Sequence, residues 1–181
     1  MDRTSGGFTL LQTLVALAVL CALLAVALPT LSHASAVVRS TNAREELTAS
    51  LIDAGRTATM SGGRVVVCPT LGGAQCARTT DWTRGWIAFE DRDGNDTFGP
   101  GDRLVSLRGD LGPGVGLVST AGRTRLVFQQ FGRNAGSNVT FTLCDRRGAL
   151  HAQTLVLSNT GRLRKGDPSA AGTASCLATL R

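Results

Sequence analysis

Residues 8–28, FTLLQTLVALAVLCALLAVAL, form one apolar run without a charged residue, broken only by the polar Thr9, Gln12 and Thr13. As a helix the run spans roughly 32 Å, which matches a hydrocarbon core of about 30 Å. A helix buried in a soluble core would show a polar face along such a length. The run therefore predicts a membrane anchor over residues 8–28. A secretory signal has a basic start, a shorter apolar region and a cleavage site after it. Here the flank is Met1-Asp2-Arg3-Thr4-Ser5-Gly6-Gly7, short and neutral in its side chains, and the Gly7-Phe8 junction precedes the run. Removal of residues 1–7 would keep the helix.

The segment Gly7-Phe8-Thr9-Leu10-Leu11-Gln12-Thr13-Leu14-Val15 resembles the class III signal of type IV pilins and pseudopilins. That resemblance implies cleavage between Gly7 and Phe8 by a prepilin peptidase, and methylation of the new amine of Phe8. It implies residence in the inner membrane, with the head in the periplasm, before passage into an extracellular pilus among other pilin subunits. Pro29 falls where these proteins often carry a proline, and its missing backbone donor is expected to bend or loosen the helix. One position departs from the pattern: the family usually has Glu at the fifth residue of the mature chain, and this chain has Gln12. A carboxamide accepts a hydrogen bond but cannot supply the charge that pairs with a neighbouring subunit's amine in lipid. That suits a subunit used rarely or placed specially.

Past the anchor, Leu47, Leu51, Ala54 and Ala58 recur at helical spacing, with Arg44, Glu45, Glu46, Asp53 and Arg56 on the other side. The stripe predicts an amphipathic continuation over 29–62, ended by Ser61-Gly62-Gly63. Short apolar stretches then alternate with Gly-rich turns. Strands are expected at Arg64–Cys68, Gly85–Glu90, Arg103–Leu107, Gly116–Thr120, Arg125–Phe131, Asn138–Cys144 and Thr154–Leu157. No βαβ alternation appears, so the sheet is expected to be mostly antiparallel. The organisation is then a leader (1–7), a transmembrane helix (8–28), its amphipathic continuation (29–62) and a β-rich head (63–181). The fold class is α+β, a long N-terminal helix packed on an antiparallel sheet.

The five cysteines carry compartment information. Cys21 lies in the apolar run and reads as a small hydrophobe. Cys68, Cys76, Cys144 and Cys176 form an even set with no C-x-x-C pair and only two histidines in the chain, which argues for disulfides over zinc. Three pairings are open. Cys68–Cys76, closing a short Gly-rich loop, with Cys144–Cys176, tying down the tail, is the favoured one.

Val67-Cys68-Pro69, then Cys76, then Trp82-x-x-Gly85-Trp86-Ile87-x-Phe89-x-Asp91-x-Asp93-Gly94-Asn95 and Gly101-Asp102 resemble GspH/FimT-type pseudopilins, minor subunits of type II secretion systems and type IV pili. Gly161-Arg162-Leu163-Arg164 matches the GRxR motif of FimT-type minor pilins, and this resemblance implies DNA capture in natural transformation. The physical case stands beside it. The chain's net charge is +6, and residues 123–181 hold nine Arg and Lys against two Asp, so the basicity sits in the C-terminal third. Such asymmetry implies an anionic partner or a solvated basic face. If the segment is extended, Arg162 and Arg164 share one side and can hold phosphates bidentately. Gly161 permits a sharp turn, Lys165 follows, and Arg146 and Arg147 widen the patch.

No recognition-helix or zinc-finger pattern is present, so contact with the phosphate backbone without base choice is expected. Phe128, Phe131 and Phe141 sit in strand patterns that read as core, so duplex DNA is favoured over single strands, which need stacking aromatics. The alternative is a GspH-like structural pseudopilin, or a pilus-priming subunit, without DNA binding.

Two further features read as structural. Asp91-Arg92-Asp93-Gly94-Asn95-Asp96 with Asp102 resembles a calcium loop, yet Asp96 stands at the sixth position and Asp102 at the twelfth where Gly and Glu belong. A polar hairpin turn is the simpler reading. His33 and His151 have no Ser, Cys or Asp partner at a suggestive spacing, so no enzyme activity, metal or cofactor is expected.

Overall fold

The structure, a computed structural model, describes residues 9–136 and 138–180. The expected processing site at Gly7 and Phe8 lies outside the described residues. The chain divides after Ser35 into two units.

The first helix, α1, runs Leu10–Ser61. At its start Thr9 and Gln12 serve each other. The Gln12 N–H donates to Thr9 Oγ1 at 3.4 Å, and the Thr9 N–H donates to Gln12 Oε1 at 3.0 Å. This is a capping box, in which two otherwise orphaned donors are satisfied locally. The backbone stays helical through position 29. Losing one donor there removes a single rung from a long ladder and does not end it. In the first unit Leu10, Leu11, Leu14, Leu17, Leu20 and Leu24 are all exposed. A helix apolar all round and uncovered by its own chain is one that lipid solvates. Among the described residues, α1 is the helix long and apolar enough to cross a membrane.

In the second unit the rest of α1 buries one stripe: Ser40, Ala43, Leu47, Ser50, Leu51, Ala54 and Ala58. The stripe packs with two antiparallel four-stranded sheets. The strands are β1 (Arg64–Pro69), β2 (Trp86–Asp91), β3 (Arg103–Arg108), β4 (Val115–Ser119), β5 (Leu126–Phe128), β6 (Val139–Asp145), β7 (Gln153–Leu157) and β8 (Leu163–Gly166). One sheet has the order β3-β2-β1-β5 and the other β4-β6-β7-β8.

Strand alternation explains the core. Val65, Val67, Trp86, Ala88, Leu126 and Phe128 of the first sheet join Leu117, Phe141, Leu143, Leu155 and Leu157 of the second in one cluster with the α1 stripe. Trp86 Nε1 donates to Ser50 Oγ at 3.0 Å, fixing β2 to the helix. On the other face of the first sheet, Val66, Cys68, Ile87 and Phe89 are covered by Ala74, Cys76 and Phe98 from the long loops.

Three elements differ from the sequence reading. The strand expected over Arg125–Phe131 stops at Phe128, and Gln130–Gly132 forms a tight 3-10 turn instead. Phe131 is therefore no core residue; it is 78% exposed. Strand β8 and a short C-terminal helix, α2 (Ala170–Leu177), are additional. The helix sequence, AAGTASCL, carries little apolar periodicity. Its anchorage comes from the Ser169 Oγ, which accepts from the Gly172 N–H at 3.1 Å, and from the Cys144–Cys176 disulfide. Cys68 and Cys76 form the second disulfide, and Cys21 is free and exposed.

Candidate nucleic-acid interface

The β7–β8 hairpin carries the basic motif. Its turn is closed by several bonds. The Ser158 N–H donates to the Arg162 carbonyl at 2.9 Å, and the Gly161 N–H to the Ser158 carbonyl at 3.0 Å. The Arg162 N–H also donates to Ser158 Oγ at 3.0 Å. Gly161 has φ +83, a left-handed backbone favoured by glycine, and a Cβ built there would lie 2.3 Å from the Gly132 carbonyl oxygen. The residue thus meets both requirements at once: a turn of unusual hand and backbone against backbone.

The register sets which side each cation takes. Leu157 pairs with Leu163, Val156 with Arg164, and Leu155 with Lys165. Leu163 packs against the core, so the pleat sends Arg162 and Arg164 to the opposite face. Both are exposed, and among the described residues neither has an acidic partner. Arg164 Nη1 approaches only the Lys165 carbonyl, at 3.5 Å. Arg164 lies in the edge strand β8 and Arg162 immediately before it, their backbones about 6.6 Å apart by strand rise, so two guanidinium groups on one side offer paired forks to successive anionic groups.

The remaining predicted residues do not join this pair. Lys165 alternates to the face of Leu163 and lines a separate concavity with Arg44, Gln153 and Gly166. Arg146 and Arg147 lie beyond the far end of β6. Arg164 is level with Val156 and through it with Thr140, six residues before Arg146, or roughly 20 Å along the strand. Arg146 lies against Gly114, where a Cβ would come within 2.8 Å of its Nε.

Arg147 is engaged elsewhere: its Nε and Nη2 donate to the two oxygens of Asp145 at 3.0 and 2.6 Å, and its N–H adds a third bond at 2.9 Å. Asp145 is fully buried. Burial pushes its carboxyl up, but the side-chain and backbone bonds from Arg147 and its charge outweigh this and hold the carboxyl below its ordinary value of 3.8. The single wide patch expected from the sequence is therefore two separate features. One is an exposed pair, Arg162 and Arg164. The other is a structural ion pair, Asp145 and Arg147.

The aromatics also divide. Phe128 and Phe141 are core residues, and Phe141 meets Trp82 edge-on with centroids 5.1 Å apart. Phe131 stands in solvent one residue before Gly132, against which the hairpin turn is seated.

In the acidic loop, the carboxylates of Asp91, Asp93 and Asp102 come within 4.8 Å of one another. Their oxygens are already bonded. Asp91 Oδ1 accepts from the N–H groups of Gly94 and Asn95 at 2.9 and 3.1 Å. Asp102 accepts from Arg92 and Gly99 at 2.9 and 2.8 Å. These are the local bonds of a polar turn.

The family model described as Type II transport protein GspH matches residues 43–161. Its span ends at Gly161, so Arg162 and Arg164 fall just past it. Two crystal structures of the type IV minor pilin FimU from Pseudomonas aeruginosa (strain PAO1) are similar in fold. The form in space group P21 gives a TM-score of 0.57 at 14% identity, covering 75% of this chain and 91% of that one. The form in P65 gives 0.52 at 20% identity, covering 70% and 92%. No curated protein matches the chain in sequence.

Proposed function

The chain belongs to the GspH family of type II transport proteins, and from that premise we propose that it is a minor pilin which binds duplex DNA through its phosphates for uptake. The uncovered apolar part of α1 supports an inner-membrane anchor, released from its leader between Gly7 and Phe8 and methylated at Phe8. The head is then held in the periplasm until the subunit joins other pilins in an extracellular pilus. Its role is binding rather than catalysis.

One observation carries the DNA reading. Arg162 and Arg164 stand unpaired on one face of an exposed edge strand, next to a turn that Gly161 seats against Gly132. Phosphate contact at such a strand selects for charge and spacing, with no edge of a base pair in reach of a groove-reading element. With Arg162 and Arg164 as the strong ligands and without Lys165, Arg146 and Arg147 beside them, the salt dependence is modest. Each neutralised phosphate contributes about −0.9 to the slope of log K against log salt, giving roughly −2 for the pair.

The test is a gel shift of the detergent-solubilised full chain with duplex DNA at low salt. Loss of the shift in the Arg162→Ala, Arg164→Ala double variant supports the site, and an unchanged shift refutes it. A structural GspH-like pseudopilin, or a pilus-priming subunit, is the second reading. It is favoured by the end of the family match at Gly161, before either arginine. Absence of any shift with the unaltered protein establishes that reading instead.

A further inference from the structure

Beside the hairpin lies a cavity of about 580 Å³. It is bounded by the end of α1 and the start of β1, by the Gln130–Gly132 turn, and by Asn159 of the hairpin. Arg64, Gln129, Phe131, Arg133, Asn134 and Asn159 are among its walls, and no Asp or Glu lines it among the described residues. Its chemistry is thus one exposed aromatic ring, several amides and the guanidinium of Arg133, with that of Arg64 paired to Asp96 behind the wall.

Phe131 is costly as it stands. Its φ of 71 is a left-handed backbone that a bulky residue adopts only under constraint, and its ring is in water. The turn that holds it is closed by the Gly132 N–H donating to the Gln129 carbonyl at 2.9 Å, and by the Gln129 N–H donating to the Arg133 carbonyl at 2.8 Å. Asn134 is a second anomaly. It is 3% exposed, and neither atom of its carboxamide has a hydrogen-bond partner. Its backbone is held in place: it bridges to Phe128, and its N–H donates to the Asn159 carbonyl at 3.0 Å. A buried amide with donor and acceptor both unmet is unfavourable unless something else completes it.

We propose that this cavity receives an unpaired nucleobase of the DNA whose backbone lies along Arg162 and Arg164. The inference rests on the DNA-binding reading and adds a site to it. Phe131 is the stacking platform, since every base has a face that an aromatic ring can cover. The exposed carboxamides of Gln129 and Asn159 in the cavity wall supply donors and acceptors for the edge of a base, above the buried Asn134. Arg133, exposed two residues past the ring, adds a cation for the adjoining phosphate. An apolar protein partner fits poorly, because amides and guanidinium groups would be desolvated against it. The DNA preferred by this protein is then a duplex with a frayed or single-stranded end.

The experiment uses the detergent-solubilised full chain with two probes, a blunt duplex and the same duplex bearing a single-stranded overhang that contains 2-aminopurine. The overhang substrate is expected to bind roughly tenfold more tightly, the effect of one stacked base, and the 2-aminopurine fluorescence is quenched on binding. Phe131→Ala and Phe131→Gly are expected to abolish both the preference and the quenching while leaving blunt-duplex affinity within about twofold. Phe131→Trp retains them.

Equal binding of the two probes by the unaltered protein overturns this inference and leaves the DNA reading intact. A preference that survives Phe131→Ala overturns it as well, including the case in which that variant only impairs recovery of the subunit in assembled pili. Failure to bind either probe overturns the DNA reading itself.

Discussion

Gly161 and Gly132 meet backbone to backbone: a Cβ on Gly161 would stand 2.3 Å from the Gly132 carbonyl oxygen. The contact seats the turn that leads into Arg162 and Arg164, so the phosphate binding proposed for them would depend on a residue with no charge. Gly161→Ala is expected to destabilise the head by about 1–3 kcal/mol through its positive φ alone, with the clash added. It should weaken duplex binding as strongly as loss of one arginine. Gly148 is the control. Its φ is +91 and nothing lies within 4 Å of a Cβ there, so Gly148→Ala should lower the melting temperature without the loss of affinity. Thermal melts and gel shifts on both variants test this.

The division of the cations predicts a graded response to salt. Arg162→Ala and Arg164→Ala are each expected to reduce the slope of log K against log salt by about 1. Lys165→Ala, on the opposite face, and Arg147→Ala, bound to Asp145, should leave the slope unchanged. Equilibrium titrations with duplex DNA at several salt concentrations check it. A slope that falls equally for Arg147→Ala would remove the distinction drawn between the two clusters.

The buried pair gives a pH dependence with a definite sign. The Asp145 carboxyl is held below 3.8 in the folded protein by the bonds and charge of Arg147, which outweigh the upward push of burial. A depressed folded pKa contributes stability above the unfolded value, and that stability is lost as pH falls through the folded one. Chemical denaturation between pH 7 and pH 2 should therefore show an acid limb that begins below about pH 4. Asp145→Asn is expected to flatten that limb. Arg147→Ala leaves a buried carboxylate unpaired and should cost about 3 kcal/mol at neutral pH.

The two disulfides are expected to differ in weight. Cys144 and Cys176 are 32 residues apart and fasten α2 to β6, whereas Cys68 and Cys76 are 8 apart. Loop closure predicts about 3–4 kcal/mol for the longer and about 2–3 for the shorter. The Cys144→Ala, Cys176→Ala double variant should melt lower than the Cys68→Ala, Cys76→Ala one. It should also raise the susceptibility of residues 170–177 to limited proteolysis, since the disulfide then no longer ties down a helix otherwise held by the Ser169 cap and by Leu177 and Leu180 packing beside Val118.

The anchor, the α1 stripe and most strands were legible because each depends on a local period. Leu47, Leu51, Ala54 and Ala58 announce a helical face, and all four are buried. The hairpin arginines were legible for the same reason, since residues two apart share one side of a strand. What escaped depended on contacts across the chain. Phe131 continues the apolar pattern of β5, and only the seating of the hairpin turn on Gly132 explains why the strand stops before it. Arg147 reads as a free cation until Asp145 is found beneath it. Helix α2 has almost no apolar periodicity, so its existence follows from a covalent bond whose other end lies in β6. Alternation alone sets Lys165 opposite Arg164, but that its side opens on Arg44 and Gln153 could not be known before the fold was.

At the other end of the molecule, the seal between Thr9 and Gln12 bears on how this subunit associates. A carboxylate at position 12 would change state with acidity and would seek a cation from a neighbour. The carboxamide stays neutral at every pH and is already occupied within its own helix. Position 12 therefore lends the rod no acid-sensitive charge, and whatever draws this stretch of helix toward a neighbour in oil must lie in other groups.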